Sequence, residues 1–172
     1  MKPFIKWQGG KRRELKHIRD FIPDGTSIIA EPFAGGAAVA FDFEGISYLN
    51  DINSRLINLY NVVADPSNFQ RLLKDIAVLK VSTQEELERR YYEARSYLNL
   101  GQTFDDPYSR ALAFLILRQQ CFSGMERYNS RGEFNVPWGR YKSFSCCLDE
   151  PHQRFLQAAT ITNIDACDFL DT

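Results

Sequence analysis

The sequence predicts an α/β protein: a small parallel sheet interrupted by an inserted lobe of helices and a hairpin. Three observations carry that prediction. Apolar, β-branched stretches alternate with helical ones as far as Ala64, and such alternation places strands side by side in parallel. From Pro66 to Leu98 the pattern is helical, with no strand signal. A strand signal then returns in "ATITNIDACDFLD". The sheet portion is therefore expected at residues 1–63 and 149–172, and the inserted lobe at 64–148.

The elements follow in order. "KRRELKHIRDFI" spaces Leu15, Ile18 and Ile22 by three and four, which predicts an amphipathic helix with a basic outer face, stopped by Pro23, Asp24 and Gly25. "SIIAEPF" reads as a buried strand, and "AGGAAVAFDF" as a helix opening straight after it. "ISYLND" is a second strand that ends in Asp51. "NSRLINLYNVVA" is a helix capped by Asn53, with Leu56, Ile57, Leu59 and Tyr60 facing inward. Thr83 with Glu86 predicts a capping box, and Asp106 before Pro107 predicts a helix start. "RALAFLILRQQ" is apolar enough for a core helix. "NSRGEFNVPWGRYK" is too broken for a long helix and too aromatic for an idle loop. It predicts hairpin-like turns at Ser130–Gly132 and Pro137–Gly139. The chain closes with a strand and an acidic turn.

With 172 residues, 44% of them apolar, one domain with a real core is expected. Net charge is −1, but its distribution is uneven. Met1 to Asp20 carries seven Lys/Arg against two acids, and Arg118 to Lys142 five against two. Asp149 to Thr172 carries one Arg against five acids. The two basic zones read either as a footprint for a polyanion or as ordinary solvated faces. Four cysteines without a CxxC pair, and two histidines, argue against a zinc site and for free thiols. No metal is expected. The start lacks an apolar signal core and no window reaches a membrane span, so a soluble cytoplasmic protein is expected.

Chemistry concentrates in a few places. In "IIAEPFAGGAAV" a strand runs into Gly35, Gly36, Ala37 and Ala38, which lets a ligand approach the backbone at the strand's carboxyl end. It is neither GxGxxG nor a Walker loop, and a small-residue turn of this kind also serves plain packing. The next strand ends in Asp51, an acid placed to hold ribose hydroxyls or to cap the following helix. Together the two strand ends favour an adenosine-containing ligand. "KWQGGKRR" adds Trp7, two glycines and Lys11; the lysine suits a carboxylate or phosphate.

Taken together, "KWQGGK", "EPFAGGAAV", "LNDINSRLINLYN" and "RYNSRGEFNVPWGRYK", in this order, resemble the Dam-type (D12 class) DNA adenine-N6 methyltransferases. The likeness runs from Phe4 to about Phe169. It implies part of a Rossmann-like methyltransferase sheet with an inserted DNA-recognition lobe, bacterial or phage-encoded, acting on double-stranded DNA. It implies S-adenosylmethionine as cofactor, held by Trp7, Gln8 and Lys11, by Glu31, Pro32, Phe33 and Gly35, by Asp51 at the ribose, and by Asp168 and Phe169 beside the adenine ring. Ala37 stands where the family usually has a second glycine, which matters if the backbone there needs a positive φ.

The resemblance makes the broken stretch a β-hairpin that touches DNA. Arg127 is the implied base reader, with Met125 and Pro137 beside a thymine methyl and Phe122 as the wedge left where an adenine swings out. Lys6 is implied at the first guanine of a GATC-like site. Ser123, Asn129, Arg131, Arg140 and Tyr141 complete the implied DNA contacts, although Arg131 and Arg140 also read as plain loop charges. "CFSGMERYN" departs from the family's Tyr-Asn-Gly run at Phe122 and Ser123.

The family's catalytic tetrapeptide, Asp-Pro-Pro-Tyr, does not occur in the sequence. "DPYS" at Asp106–Ser109 has one proline too few and falls between helices, so Asp106 reads as a cap. A sheet of about three strands also leaves apolar faces uncovered. The chain alone is therefore expected to be incomplete as a catalyst. It would be one half of a split methyltransferase whose second polypeptide carries the motif, a truncated product, or a non-catalytic DNA-binding decoy.

Overall fold

The computed structural model describes residues 1–100 and 106–171. Its sheet is parallel, with β1 (Ile28–Glu31), β2 (Ile46–Asn50) and β3 (Thr160–Thr162) in the order β1-β2-β3. Ile28 pairs with Ile46, and Tyr48 with Thr160. The helices are α1 (Leu15–Arg19), α2 (Ser54–Ala64), α3 (Pro66–Val81), α4 (Gln84–Asn99), α5 (Pro107–Gln120), α6 (Glu150–Ala158) and α7 (Ala166–Leu170). The parallel α/β sheet is what the alternation predicts, and the mixed, Rossmann-like arrangement is what the resemblance implies.

The helix caps fall where side-chain chemistry places them. Asn53 accepts from the Arg55 and Leu56 N–H groups, and Asp106 from Tyr108 and Ser109. Thr83 and Glu86 close a reciprocal capping box on α4. Each cap satisfies backbone donors that the first turn leaves free. α2 packs on α3, α5 and α6, and α4 packs on α5. One hydrophobic core joins Leu49 and Leu56 to Leu115, Phe134 and Val136.

Several expectations are corrected. "AGGAAVAFDF" opens no α-helix. Gly35 and Ala37 take left-handed φ values of 49° and 51°, which an α-helical ladder does not tolerate, and only a single 3₁₀ turn forms at Ala40–Asp42. The amphipathic helix before β1 shrinks to a 3₁₀ turn at Lys11–Arg13 followed by α1, and none of its residues is buried. Among the described residues β1 lies at the edge of the sheet and is not buried. Its Ile28 is 52% exposed, beside Ile46 at 55% on the same face, whereas Leu49 on the opposite face is fully buried. "CDFLD" winds into α7, capped by Asp165, instead of forming a turn. α6, which the sequence reading passed over, packs His152 between Phe4 and Phe41.

The broken stretch is a ribbon. Tyr128 faces Phe134 and Cys121 faces Trp138 in antiparallel bridges, and the Asn135 N–H donates to the Arg127 carbonyl. Its tip turns at Asn129–Gly132, where Gly132 has φ of 75°. Pro137–Gly139 is no turn. Trp138 is buried and the Phe122 N–H donates to the Pro137 carbonyl, so that arm stays extended until Arg140, at φ of 56°.

Tyr60 on α2 is fully buried, and its hydroxyl donates to the Gly35 carbonyl in the turn after β1. Tyr60→Phe orphans that carbonyl. It is expected to cost about 1–2 kcal/mol, read as a lower denaturation midpoint at unchanged m-value.

Candidate functional site

A cavity of about 210 Å³ opens at the carboxyl end of β1, lined by Trp7, Gln8, Gly9, Gly10, Lys11, Glu31, Phe33 and Gly35 among others. Two sequence signals build it. The double glycine at Gly9 and Gly10 turns the N-terminal segment, with Gly9 at φ of 75° and the Gly10 N–H donating to the Trp7 carbonyl. The small residues after β1 let that segment come close. A Cβ built on Gly35 would lie 2.7 Å from Trp7 Nε1, and one on Gly36 3.2 Å from Trp7 Cβ. The indole therefore forms a wall against bare backbone.

Two carboxylates stand beside this wall. Asp51, just past β2, accepts from the Gly35 N–H at 2.9 Å through Oδ2 and from the Asn53 N–H at 2.9 Å through Oδ1. It ties the ends of neighbouring strands together and orders the start of α2. Glu31 accepts from the Ala40 N–H. Burial pushes its carboxyl up to about 7, against the pull of that hydrogen bond. Burial, with Glu31 and Asp51 nearby, also drives the Tyr60 hydroxyl far above its usual range.

A second, open cavity of about 590 Å³ adjoins the first. Its lining combines Lys6, Arg12 and Arg13 from the N-terminal basic zone with Ser123, Gly124 and Tyr141 from the second, and it shares Trp7 and Gln8 with the first cavity. Lys6 is fixed here: its Nζ donates to the Gln119 carbonyl at 2.6 Å and lies 3.9 Å from the centre of the Tyr141 ring. Burial is the main cause that lowers its pKa.

Arg118, at the end of α5, holds the junction. It is 1% exposed, and its guanidinium lies 5.0 Å from the centre of the Trp7 ring. It donates to the carbonyls of Lys6 (3.2 Å), Gly124 (3.1 Å) and Met125 (3.3 Å) and pairs with Glu126 at 3.4 Å. The sequence reading missed it because a lone Arg inside "LILRQQ" looks like the polar end of a core helix. Arg12 and Arg13 were missed as individual residues, though the charge count marked their zone.

Of the residues singled out for a cofactor, Trp7, Gln8, Lys11, Glu31, Phe33 and Gly35 share the first cavity. Asp51 joins through its bond to Gly35. Pro32 turns its carbonyl to Asn50. Asp168 and Phe169 stand on α7, outside that lining, with Asp168 exposed and Phe169 buried. Of those singled out for DNA, Lys6, Ser123 and Tyr141 line the groove. Phe122, Met125, Arg127, Arg131, Pro137 and Arg140 are exposed along the ribbon. Arg127 uses its fork on Asn135, at 2.8 Å to Oδ1 and 3.1 Å to the carbonyl. Asn129 holds the ribbon's tip, its side-chain oxygen accepting from the Arg131 and Glu133 N–H groups. Among the described residues no group of three or more His, Cys, Asp or Glu is placed to hold a metal, and no helix is long and apolar enough to cross a membrane.

A glycine-lined cradle at the carboxyl end of a parallel strand, with an acid ending the neighbouring strand, is an arrangement in which α/β domains commonly hold ligands. Residues 7–171 match the family described as D12 class N6 adenine-specific DNA methyltransferase, and the chain belongs to that family. It is 41% identical over 149 residues to the type II methyltransferase M.CviBI of Paramecium bursaria Chlorella virus NC1A, covering 84% of this chain and 53% of that protein. It is 42% identical over 141 residues to the DNA adenine methylase of Serratia marcescens, covering 81% and 49%. With the DNA adenine methylase of Haemophilus influenzae it is 35% identical over 172 residues, covering 99% and 58%. The chain thus spans about half the length of the curated relatives it matches.

Gly35→Ala should drive a methyl into the Trp7 ring at a φ of 49° and cost about 2–3 kcal/mol, with a shift in tryptophan emission. Gly9→Ala, where nothing lies within 4 Å, should cost only about 1 kcal/mol of left-handed strain and leave the emission unchanged. A second prediction concerns Glu31. Because the folded state holds its proton more tightly, its contribution to stability is fully present below its ordinary value of 4.5 and lost as pH rises through about 7. Glu31→Gln keeps the acceptor for Ala40 but cannot ionise. Between pH 5 and 8 the parent should lose on the order of 2 kcal/mol relative to this variant, read as diverging melting temperatures.

Proposed function

We propose that the chain binds S-adenosylmethionine in the Trp7–Gly35 cradle and double-stranded DNA along the adjoining groove and ribbon, as the cofactor and target-recognition part of an adenine-N6 DNA methyltransferase. The observation that carries this reading is the shared wall: Trp7 and Gln8 line both cavities, so a ligand in the cradle lies beside one in the basic groove. In this reading residues 1–63 and 149–172 form the cofactor-binding portion, which also lends Lys6, Arg12 and Arg13 to the groove, and 64–148 form the DNA-recognition lobe.

The cradle fits such a cofactor in residue chemistry. Gly35 leaves backbone bare where a Cβ would collide with Trp7. Lys11 suits a carboxylate, and Asp51 keeps lone pairs for hydroxyl groups beyond those engaged by Gly35 and Asn53. Bound S-adenosylmethionine supplies an electrophilic methyl group on sulfur. Arg12 and Arg13 meet phosphate through sequence-independent charge, and Lys6 faces the first guanine. Arg127, released from Asn135, presents a bidentate fork to guanine in the major groove. Phe122, exposed beside Ser123 in its left-handed turn, is placed to fill a gap in a base stack. The target proposed in this reading is a GATC-like site.

The tetrapeptide Asp-Pro-Pro-Tyr is absent from these 172 residues. The isolated chain is accordingly proposed to bind both ligands and to transfer no methyl group.

Calorimetry with S-adenosylmethionine and with GATC-containing and scrambled duplexes tests this. The chain should bind the cofactor and prefer the GATC duplex, and Arg127→Ala should remove about 1–3 kcal/mol of that preference while phosphate-driven, salt-dependent affinity remains. Tritiated methyl transfer into DNA by the pure chain, or a preference unchanged in Arg127→Ala, would overturn the corresponding assignment.

A further inference from the structure

The side chain that physically connects the cradle to the ribbon is Glu126. Its carboxylate is reached from three elements. Oε1 accepts from Asn53 Nδ2 at 3.3 Å and from the Tyr128 hydroxyl at 2.8 Å, and Oε2 pairs with Arg118 Nη1 at 3.4 Å. Asn53 is the cap of α2, and its own N–H donates to Asp51, whose other oxygen holds Gly35. Arg118 lies against Trp7, which packs on Gly35. Both arms from Glu126 therefore end on the same turn after β1. On the other side Glu126 precedes Arg127 directly and shares its strand of the ribbon with Tyr128.

We propose that Glu126 is a positioning residue that couples occupancy of the cradle to the placement of the ribbon, so that each ligand raises the affinity for the other. This rests on the proposed function, in that it takes the cradle's ligand to be S-adenosylmethionine and the ribbon's to be a duplex. The physical basis is the limited choice the circuit leaves. A ligand that contacts Trp7 and Asp51 restricts the orientations of Arg118 and Asn53. These in turn restrict the one carboxylate that both of them bind. A duplex that fixes Arg127 and Tyr128 restricts the same carboxylate from the other end. Ordering paid by the first ligand need not be paid by the second, and coupling of this kind is reciprocal. Glu126 touches neither ligand in this scheme, so its loss should leave separate binding in place.

The test measures S-adenosylmethionine affinity by calorimetry with and without a saturating GATC-containing duplex, and duplex affinity with and without the cofactor. In the parent chain each ligand is expected to tighten the other by at least about fivefold, by the same factor in both directions. Glu126→Ala should bring both factors to within about twofold of unity while each ligand alone binds nearly as before. Because Glu126→Ala leaves Arg118 without its acid, a second variant removes the other arm. Asn53→Ser keeps a capping oxygen for α2 but has no amide to offer Glu126, and should also lower the factor. Thermal melts confirm that both variants are folded. A coupling factor unchanged in both variants, or a parent chain that binds both ligands independently, overturns the proposal and leaves the functional reading standing. A parent chain that binds neither ligand overturns the functional reading, and the coupling with it.

Discussion

The structure turns on a buried guanidinium. Withdrawing an arginine from water costs several kcal/mol unless its donors are met. Arg118 meets them with three main-chain carbonyls, Lys6, Gly124 and Met125, and with the Glu126 carboxylate. These partners come from segments far apart in sequence, one beside Trp7 and the other at the foot of the ribbon. Their positions follow from the need to satisfy one charge, and the planar fork leaves little freedom in how they do so. The stacking of Trp7 under the same guanidinium adds a cation–π contact. Arg118 thus helps to orient cradle and ribbon while lining neither cavity.

Charge acts locally in the same way. A net charge of −1 by itself argues neither for nor against affinity for a polyanion. Screening over about 8 Å at physiological salt makes the local arrangement matter more than the sum. Folding brings Lys6, Arg12 and Arg13 to one groove, and no acid joins them in its lining. Lys6 is held there by the Gln119 carbonyl and the Tyr141 ring although burial disfavours its charge. A fixed cation in a partly desolvated groove attracts an anion more strongly than a mobile surface lysine does.

Much of this was legible in the chain, and the reasons for what was not are physical. The capped helices were readable because Asn53, Thr83 with Glu86, and Asp106 act within one turn of themselves. The residues around the cradle were readable because glycine and small side chains mark close backbone approach, and motif order then named the family. A run of Gly and Ala permits a helix after β1, and the contacts that select the left-handed turn, Trp7 against Gly35 and the bonds of Gly35 to Tyr60 and Asp51, come from elsewhere in the chain. The extended arm at Pro137–Gly139 reads as a turn in sequence because burial of Trp138 cannot be seen locally. Arg118 and Glu126 were illegible as a pair: eight residues apart, across a helix end and a 3₁₀ turn, they meet only after folding.

Backbone strain follows the same division of labour. Among the described residues three non-glycine positions take left-handed φ: Ala37 at 51°, Ser123 at 55° and Arg140 at 56°. Each costs about 1–2 kcal/mol against glycine, so such positions persist only where surrounding contacts over-determine them. Ala37 is fully buried behind the cradle, its N–H donating to Ala34 at 2.7 Å. Ser123 and Arg140 stand at the two arms of the ribbon's foot, one beside Phe122 and the other beside Tyr141. Ser123 is where the sequence departs from the family's asparagine, a residue that enters the left-handed region more readily. The described chain therefore bends against its preference behind one cavity and at the edge of the other. Helices such as α3 and α4, which carry no candidate site residue, show no non-glycine residue at positive φ. Strain placed in this pattern holds the cradle and the ribbon's foot in one geometry, and the helices packed on α2 supply the stability that offsets it.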